Sequence, residues 1–279
     1  MKIKYLGTGA AEGFPAMFCN CTHCKNVKKL GESEFRTRSQ VLIDEKISID
    51  FPPEAYAHSL KHGVNLSNIK HLLVSHSHMD HFYAHDFILR GYKYAKDMRE
   101  EVINIFGNSE VLKVYNECTA RELKKEVAPH ICFNEIAPYQ VFSIDGYKII
   151  TLPAHHSSEE EALLFYIEKN GKGYLHLYDT GEEFEKSLNF LAKNNAKANL
   201  VSFDCTFVNA TAIRTARHMG IENNMLVKNR LISLGICNEN TKYVITHFSH
   251  NVNPTKSNLQ SVEEKYGVTA AYDGMEVEI

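Results

Sequence analysis

Four side chains that can hold a metal ion fall within the six residues His76-Ser77-His78-Met79-Asp80-His81. They are His76, His78, Asp80 and His81, and neutral imidazoles with a carboxylate suit Zn, Mn or Fe. The apolar run Ile69–Ser75 before them reads as a buried strand. At an extended strand end residues i and i+2 point the same way. His76, His78 and Asp80 can then face one side, and a turn after Met79 brings His81 round. A polar loop that is merely rich in histidine is the competing reading, and four ligand types at this spacing weigh against it.

A second group sits at Cys19-Asn20-Cys21-Thr22-His23-Cys24. Three thiolates so close together make the start of a Zn site and leave a fourth ligand to be found. His23 is adjacent, whereas a ligand distant in sequence would staple two parts of the fold. Cys118, Cys132, Cys205 and Cys237 are scattered and read as ordinary core or surface residues of a reducing compartment. The glycines of Gly7-Thr8-Gly9 and Gly13-Phe14-Pro15 do not make a dinucleotide fingerprint, because the third comes one place late and Pro15 follows at once. They serve either a close backbone approach to a ligand or a turn.

The elements that must position these groups follow from periodicity and turn residues. Lys2–Leu6 alternates as a strand, and Lys25–Arg38 reads as a polar loop with a short helix. Gln40–Ile43 and Lys46–Asp50 form a hairpin around Asp44-Glu45, and Pro53–Lys61 follows as a helix. Asp86–Tyr94 and Glu110–Lys125 read as helices, with strands at Val102–Gly107 and Ile131–Ile136. Asp145-Gly146 marks a hairpin of Gln140–Ile144 with Tyr147–Leu152. Another hairpin joins Leu163–Lys169 to Gly173–Tyr178, and Phe184–Lys193 is a helix. Asn199–Cys205 and Tyr243–Thr246 are strands, the stretch Thr211–Leu234 holds His218 and a helix, and a last strand pair lies near Ala270–Ile279.

His76, His156, Asp179, Asp204 and His247 each fall at or just beyond an apolar strand, where layered α/β folds gather their sites. Asp50 and Asp179 both end the second strand of a hairpin, which hints at two similar halves without a convincing sequence repeat. Asp50 suits orientation of a metal-bound histidine or a helix cap. Asp204 suits hydrogen bonding to a ligand or a turn cap. His155 competes with its neighbour His156 as a ligand, and the Ser that follows favours His156. His58, His62, His71, His130 and His176 read as surface or packing residues.

Length and composition bound the rest. The 279 residues, 44% of them hydrophobic, support a sizeable core, and with no linker or low-complexity stretch a single domain over 1–279 is expected. A formal net charge of −3 argues against a broad nucleic-acid surface. No signal peptide or membrane-length apolar run is visible, so a cytoplasmic protein is expected.

Taken together, these motifs resemble the metallo-β-lactamase superfamily. Its H-x-H-x-D-H hallmark is met by His76, His78, Asp80 and His81, and its downstream pattern by His156, Asp179 and His247. The resemblance implies an α/β fold, a four-layer αββα metallo-β-lactamase sandwich, with two divalent ions (Zn or Mn) at its edge. It places His76, His78 and His156 on one ion, Asp80, His81 and His247 on the other, and Asp179 as the bridge. Two cations a few ångströms apart lower the pKa of a water and clamp the attacking and leaving oxygens of a phosphoryl centre. The histidines must be neutral to ligate, so activity is expected to fall in acid.

The N-terminal Gly-Thr-Gly…Gly-Phe-Pro-Ala…Cys-x-Cys-x-x-Cys run and Thr246-His247-Phe248-Ser249-His250 are similar to the phosphoribosyl cyclic phosphate phosphodiesterase group of that superfamily. By that resemblance Cys19, Cys21, Cys24 and His250 hold a structural Zn and His218 protonates the leaving oxygen; His218 and Asp80 are the expected catalytic residues, and Asp50 and Asp204 are expected from their strand-end positions to support the ligands. The implied activity is hydrolysis of a small cyclic phosphodiester, so the expected partner is a small phosphorylated substrate rather than a membrane or nucleic acid. A homodimer remains an open assembly. Other hydrolases of the fold, a tRNA 3′-processing nuclease or a thioesterase, are the alternative. A non-enzymatic binding protein would be expected to have lost ligands, and all seven are present.

Overall fold

The computed structural model describes residues 1–182, 185–209 and 217–279. In chain order its strands are β1 (Lys2–Gly7), β2 (Gln40–Ile43), β3 (Ile47–Ile49), β4 (His71–Leu73), β5 (Ile103–Gly107), β6 (Ile131–Glu135), β7 (Val141–Ile144), β8 (Tyr147–Pro153), β9 (Leu163–Lys169), β10 (Lys172–Leu177), β11 (Leu200–Asp204), β12 (Lys242–Thr246), β13 (Thr269–Ala270) and β14 (Met275–Glu278). The α-helices are α1 (Thr22–Leu30), α2 (Ala55–His62), α3 (Ser109–Thr119), α4 (Glu185–Lys193), α5 (Ile221–Ser233) and α6 (Lys256–Tyr266).

The strands form two seven-stranded sheets, ordered β14-β1-β2-β3-β4-β5-β6 and β13-β12-β11-β10-β9-β8-β7. Their pairing has the same logic. In the first, β14, β1, β2 and β3 run antiparallel, then β3 to β6 run parallel. In the second, β7 to β10 run antiparallel, then β10 to β13 run parallel. The fourth strand of each pattern, β3 or β10, delivers Asp50 or Asp179 at its end. The two halves suspected from these aspartates are thus a repeat of topology.

Period-two alternation sorts the side chains into three cores. Ile3, Tyr5, Val41, Ile43, Phe165, Tyr174 and Val244 meet between the sheets. Leu42, Leu72 and Ile105 point outward under α2 and α3, through Ala55, Val111 and Tyr115. Val201, Phe203 and Ile245 point outward on the other sheet, under Leu188 and Leu191 of α4, Val227 and Leu231 of α5, and Leu259 and Val262 of α6. The result is the expected four-layer αββα sandwich. Among the described residues no helix is long and apolar enough to cross a membrane.

Several elements differ from the sequence reading. The helix expected over Asp86–Tyr94 is a 3₁₀ segment, Ala84–Leu89, followed by turns. Gly91 and Tyr92 take φ of +100° and +54°, which no α-helix accommodates. The helix expected over Glu110–Lys125 stops at Thr119. The first helix begins at Thr22, inside the cysteine motif, with Cys21 as its N-cap. Thr269–Ala270 and Met275–Glu278 do not pair with each other; β13 joins β12 while β14 joins β1, so the chain crosses between sheets at 271–274. Phe184 and residues 211–216, included in expected helices, lie outside the described residues.

Gly7 answers the question left by the glycine-rich loop. A Cβ there would sit 1.9 Å from the Arg38 carbonyl oxygen, so the glycine serves a close backbone crossing. Behind this crossing His58 is buried and bonded at both ring nitrogens, to Gln40 and Thr37, each at 2.7 Å. Burial, with help from His62 and Lys61, pushes its imidazole down to about 3. An imidazole depressed below its ordinary 6.5 stabilises the fold fully above that pH and loses the contribution as pH falls toward 3. His58 is therefore expected to cost about 1.4 kcal/mol per pH unit below about 6. Urea unfolding from pH 7 to 4 checks this: His58→Gln flattens the acid slope by about that amount, and an unchanged slope refutes it.

Candidate metal centre and active site

The site lies at one edge of the sandwich, where the parallel strands end. β4 runs into Ser75-His76, β8 into Ala154-His155-His156, β10 into Tyr178-Asp179, β11 ends at Asp204, and β12 runs into His247. Two of these turns, and the one after β3, place left-handed backbone on ordinary residues: Asp179 at φ +54°, His247 at +61° and Asp50 at +63°. Such a conformation costs roughly 1–3 kcal/mol and persists where surrounding structure imposes it. Here it swings a carboxylate or an imidazole off the strand end into a shared space.

Asp179 is at the centre of that space. Its Oδ2 lies 3.3 Å from His76 Nε2 and 3.1 Å from His81 Nε2, and its Oδ1 lies 3.2 Å from His156 Nδ1. His78 Nδ1 approaches His76 Nε2 at 2.9 Å and His156 Nε2 at 3.2 Å. Asp80 Oδ2 is 3.3 Å from His81 Nε2, and His247 Nε2 is 3.9 Å from Asp179 Oδ2. Two ligand groups result, His76-His78-His156-Asp179 and Asp80-His81-Asp179-His247, each with its donor atoms within 4.8 Å of one another and both sharing Asp179. All seven ligands expected from sequence are brought together, with His156 rather than His155 in the group.

The donor set fits divalent ions. His81 Nε2, His156 Nδ1, His247 Nε2 and Asp179 Oδ1 are buried yet make no hydrogen bond. Their close approaches are not aligned as hydrogen bonds, and buried polar atoms without partners are costly. Their lone pairs would be satisfied by ligating bound divalent ions. Burial pushes the His76 imidazole well below its ordinary value and His156 down to about 4, favouring the neutral forms that ligate. Burial alone would raise the Asp179 carboxyl, but His247, His218 and His81 outweigh it and hold it well below the usual carboxylate range.

A supporting shell fixes the ligands. Asp50 accepts from the Ser75 amide at 2.8 Å and contacts His81 Nδ1 at 2.6 Å, so it orients the histidine rather than capping α2. Asp204 Oδ1 accepts from the Thr206 and Met219 amides at 3.0 and 3.1 Å. Its Oδ2 lies 3.1 Å from His218 Nδ1 and 3.5 Å from His247 Nδ1. Asp204 thus does both things its sequence position suited. His218 Nδ1 also lies 3.0 Å from Asp179 Oδ1, and the ring stacks on His247 at a centroid distance of 5.6 Å. Burial opposes charge on His218, but Asp204 and Asp179 prevail and push its imidazole up to about 10.

Sequence reasoning missed three supporting residues. Ser75 Oγ bonds Asp50 and His76 at 3.0 Å each. Thr206 Oγ1 donates to the His247 carbonyl at 2.9 Å. Glu160 accepts from the Ser77 amide at 3.0 Å, the Ser77 hydroxyl at 2.6 Å and Asn108 Nδ2 at 2.8 Å, clamping the chain between His76 and His78. Only Ser75 had a local signal, its place directly before the histidine motif.

The site opens into a cavity of about 380 Å³ whose wall includes Glu12, Phe207, His218, Ser249 and Asn251. Beside it stands the cysteine group. Cys19, Cys21, Cys24 and His250 offer donor atoms within 4.8 Å of one another. His250 Nδ1 is 3.5 Å from Cys24 Sγ and 3.8 Å from Cys21 Sγ. The Cys24 amide and His250 pull the Cys21 thiol down to about 6, whereas burial pushes Cys24 up to about 11. His23 instead contacts the His250 carbonyl at 3.3 Å.

Among solved structures, a diphosphatase of the PhnP family shares 18% identity and a TM-score of 0.73, with 100% of this chain and 97% of that chain covered. Zn²⁺-bound PqqB from Methylobacterium extorquens shares 16% identity and a TM-score of 0.69, with both chains fully covered at 100%. The short form of human tRNase Z shares 16% identity and a TM-score of 0.66, covering 100% and 99%. These likenesses concern the fold. Among curated proteins none matches the chain. A family model, the beta-lactamase superfamily domain, matches residues 41–248, a span running from β2 through the histidine motif to His247. That match takes in every residue of the two ligand groups around Asp179, and by it the chain belongs to the beta-lactamase superfamily, as a metal-dependent hydrolase.

Proposed function

We propose that the protein is a dinuclear metal-dependent phosphodiesterase that opens a small cyclic phosphodiester, such as a ribose 1,2-cyclic phosphate. The observation that carries this reading is the pair of ligand groups sharing Asp179, with His218 set on the cavity wall beside them. Two divalent ions held there, Zn or Mn, would acidify the attacking water and offset charge on the phosphoryl oxygens. His218, held by Asp204 and kept protonated by its carboxylate neighbours, is placed to donate a proton to the departing ring oxygen. Asp50 and Asp204 keep His81, His247 and His218 in their rotamers. A cavity of about 380 Å³ suits a sugar phosphate rather than a folded RNA, and the net charge of −3 supports the same choice. In this reading Cys19, Cys21, Cys24 and His250 hold a structural Zn that fixes the wall carrying Glu12 and Asn251.

The test is turnover of a panel of cyclic phosphodiesters, ribose 1,2-cyclic and nucleoside 2′,3′- and 3′,5′-cyclic phosphates, by Zn- or Mn-loaded protein. Hydrolysis of at least one small cyclic diester, lost in His76→Ala, is expected. Metal-loaded protein that leaves the whole panel intact while cleaving a thioester or tRNA precursor would falsify the reading.

A further inference from the structure

A second cavity, of about 500 Å³, opens between α2 and the Ala84–Leu89 segment and shares no lining residue with the metal-site cavity. It has the size of a small-ligand site. Its floor is apolar and aromatic: Phe51 and Phe87 are 8% and 5% exposed, with ring centroids 5.0 Å apart. Tyr83, Leu66 and Met98 line its sides. One acidic group, Asp86, also lines it.

That carboxylate has no hydrogen bond or ion pair with any described residue. Arg90, the cation of the same wall, does not neutralise it; its guanidinium is taken by the carbonyls of His130, at 3.3 Å, and Glu100. His85, the other neighbouring base, packs its ring on Tyr83 at 5.1 Å. Burial pushes the Asp86 carboxyl up, and the charge of His85 pulls the other way. A half-buried carboxylate lining an aromatic cavity, with His85 alone acting on its charge, is an arrangement that a further cation relieves.

We propose that this cavity binds a small apolar ligand bearing an ammonium group, its cation held by Asp86 and the aromatic faces and its apolar body buried against Phe51 and Phe87. Ion pairing, cation–π attraction and apolar burial all favour such a ligand, and a neutral isostere keeps only the last. The site stands apart from the phosphodiesterase reading and does not depend on it.

The probes are phenethylamine and its neutral isostere 2-phenylethanol, titrated calorimetrically into the intact metal-loaded protein at pH 8. The amine is expected to saturate with a Kd of about 1 mM, the scale for a fragment of this size, and the alcohol to bind at least about tenfold more weakly. Asp86→Asn should bring the two probes level. Met98→Trp, which fills the cavity from its half-buried side, should weaken both and serves if the first variant does not fold. The proposal is overturned if amine and alcohol bind alike, if Asp86→Asn keeps the amine advantage, if Met98→Trp binds the amine as well as the parent, or if the amine does not saturate by about 20 mM.

Discussion

Asp179→Asn is expected to lower hydrolytic turnover at least about a thousandfold, some 4 kcal/mol of barrier, and to reduce the divalent metal retained after dialysis. The reason is geometric. Both ligand groups contain Asp179, whose two oxygens reach His76, His81 and His156 within 3.3 Å. Asn keeps the shape but offers one neutral oxygen in place of two anionic ones. It therefore removes the charge that holds two cations together and leaves five imidazoles around an uncharged amide. Loss of any single histidine disturbs one group, whereas this change disturbs both. Asp179 Oδ1 also lies 3.0 Å from His218 Nδ1, so the variant removes a negative charge beside the candidate proton donor. The fold should persist, because the substitution adds no bulk and β10 keeps its ladder with β9 and β11. Metal analysis beside circular dichroism separates the outcomes: a folded variant with full metal content and parental turnover would refute the bridging role.

How much of this was legible in the sequence depends on the range of the determining contacts. His76, His78, Asp80 and His81 were legible because four ligand types crowd into six residues just after an apolar run; β4 itself ends at Leu73, and bends and turns carry them into the site. Asp179 and His247 were legible as polar residues at apolar strand ends, although the left-handed turns that aim them were not. The partnership of His250 with residues more than two hundred positions away came from the family resemblance, since no local pattern encodes it. Glu160 was invisible for a related reason: in Ser-Ser-Glu-Glu-Glu it looks like solvated charge, and only the approach of that loop to Ser77 and Asn108 gives it a role. The misread helix at Asp86–Tyr94 shows the opposite failure. Its apolar spacing is helical, but Gly91 lies against the His130 ring, where an added Cβ would come within 2.7 Å, and that tertiary contact overrides the local preference. The last two strands were seen as strands and wrongly paired, because pairing there is settled by which sheet edge is open.

Cys21→Ser is expected to remove one equivalent of tightly held Zn per chain and to lower Tm by about 5–10 °C, the scale for a loss of 2–4 kcal/mol in a domain this large. The choice of residue isolates the metal from two other effects. Cys21 is the N-cap of α1, its sulfur accepting from the Cys24 amide at 3.4 Å, and Ser is among the best N-caps, so capping survives. Cys21 is also exposed, so no core volume is lost. What remains is ligation. The N-terminal segment has only a small core of its own, Phe14, Ala16, Cys24 and Val27. Its ties to the rest include backbone bonds to Arg36 and Phe248, Arg38 Nε donating to the Ala11 carbonyl at 2.7 Å, Glu12 accepting from Ser249 at 2.7 Å, the contact of His23 with the His250 carbonyl and the cysteine–His250 group. A core that small contributes little on its own, and a thiolate-bound ion is the kind of staple that compensates. Because Glu12 and His250 line the cavity of the metal centre, loosening this segment should also raise KM more than it lowers kcat. Asp179→Asn predicts the converse, lost turnover with the cysteine-bound Zn intact. Full Zn content and an unchanged Tm in Cys21→Ser would show that these three thiols and His250 hold no structural ion.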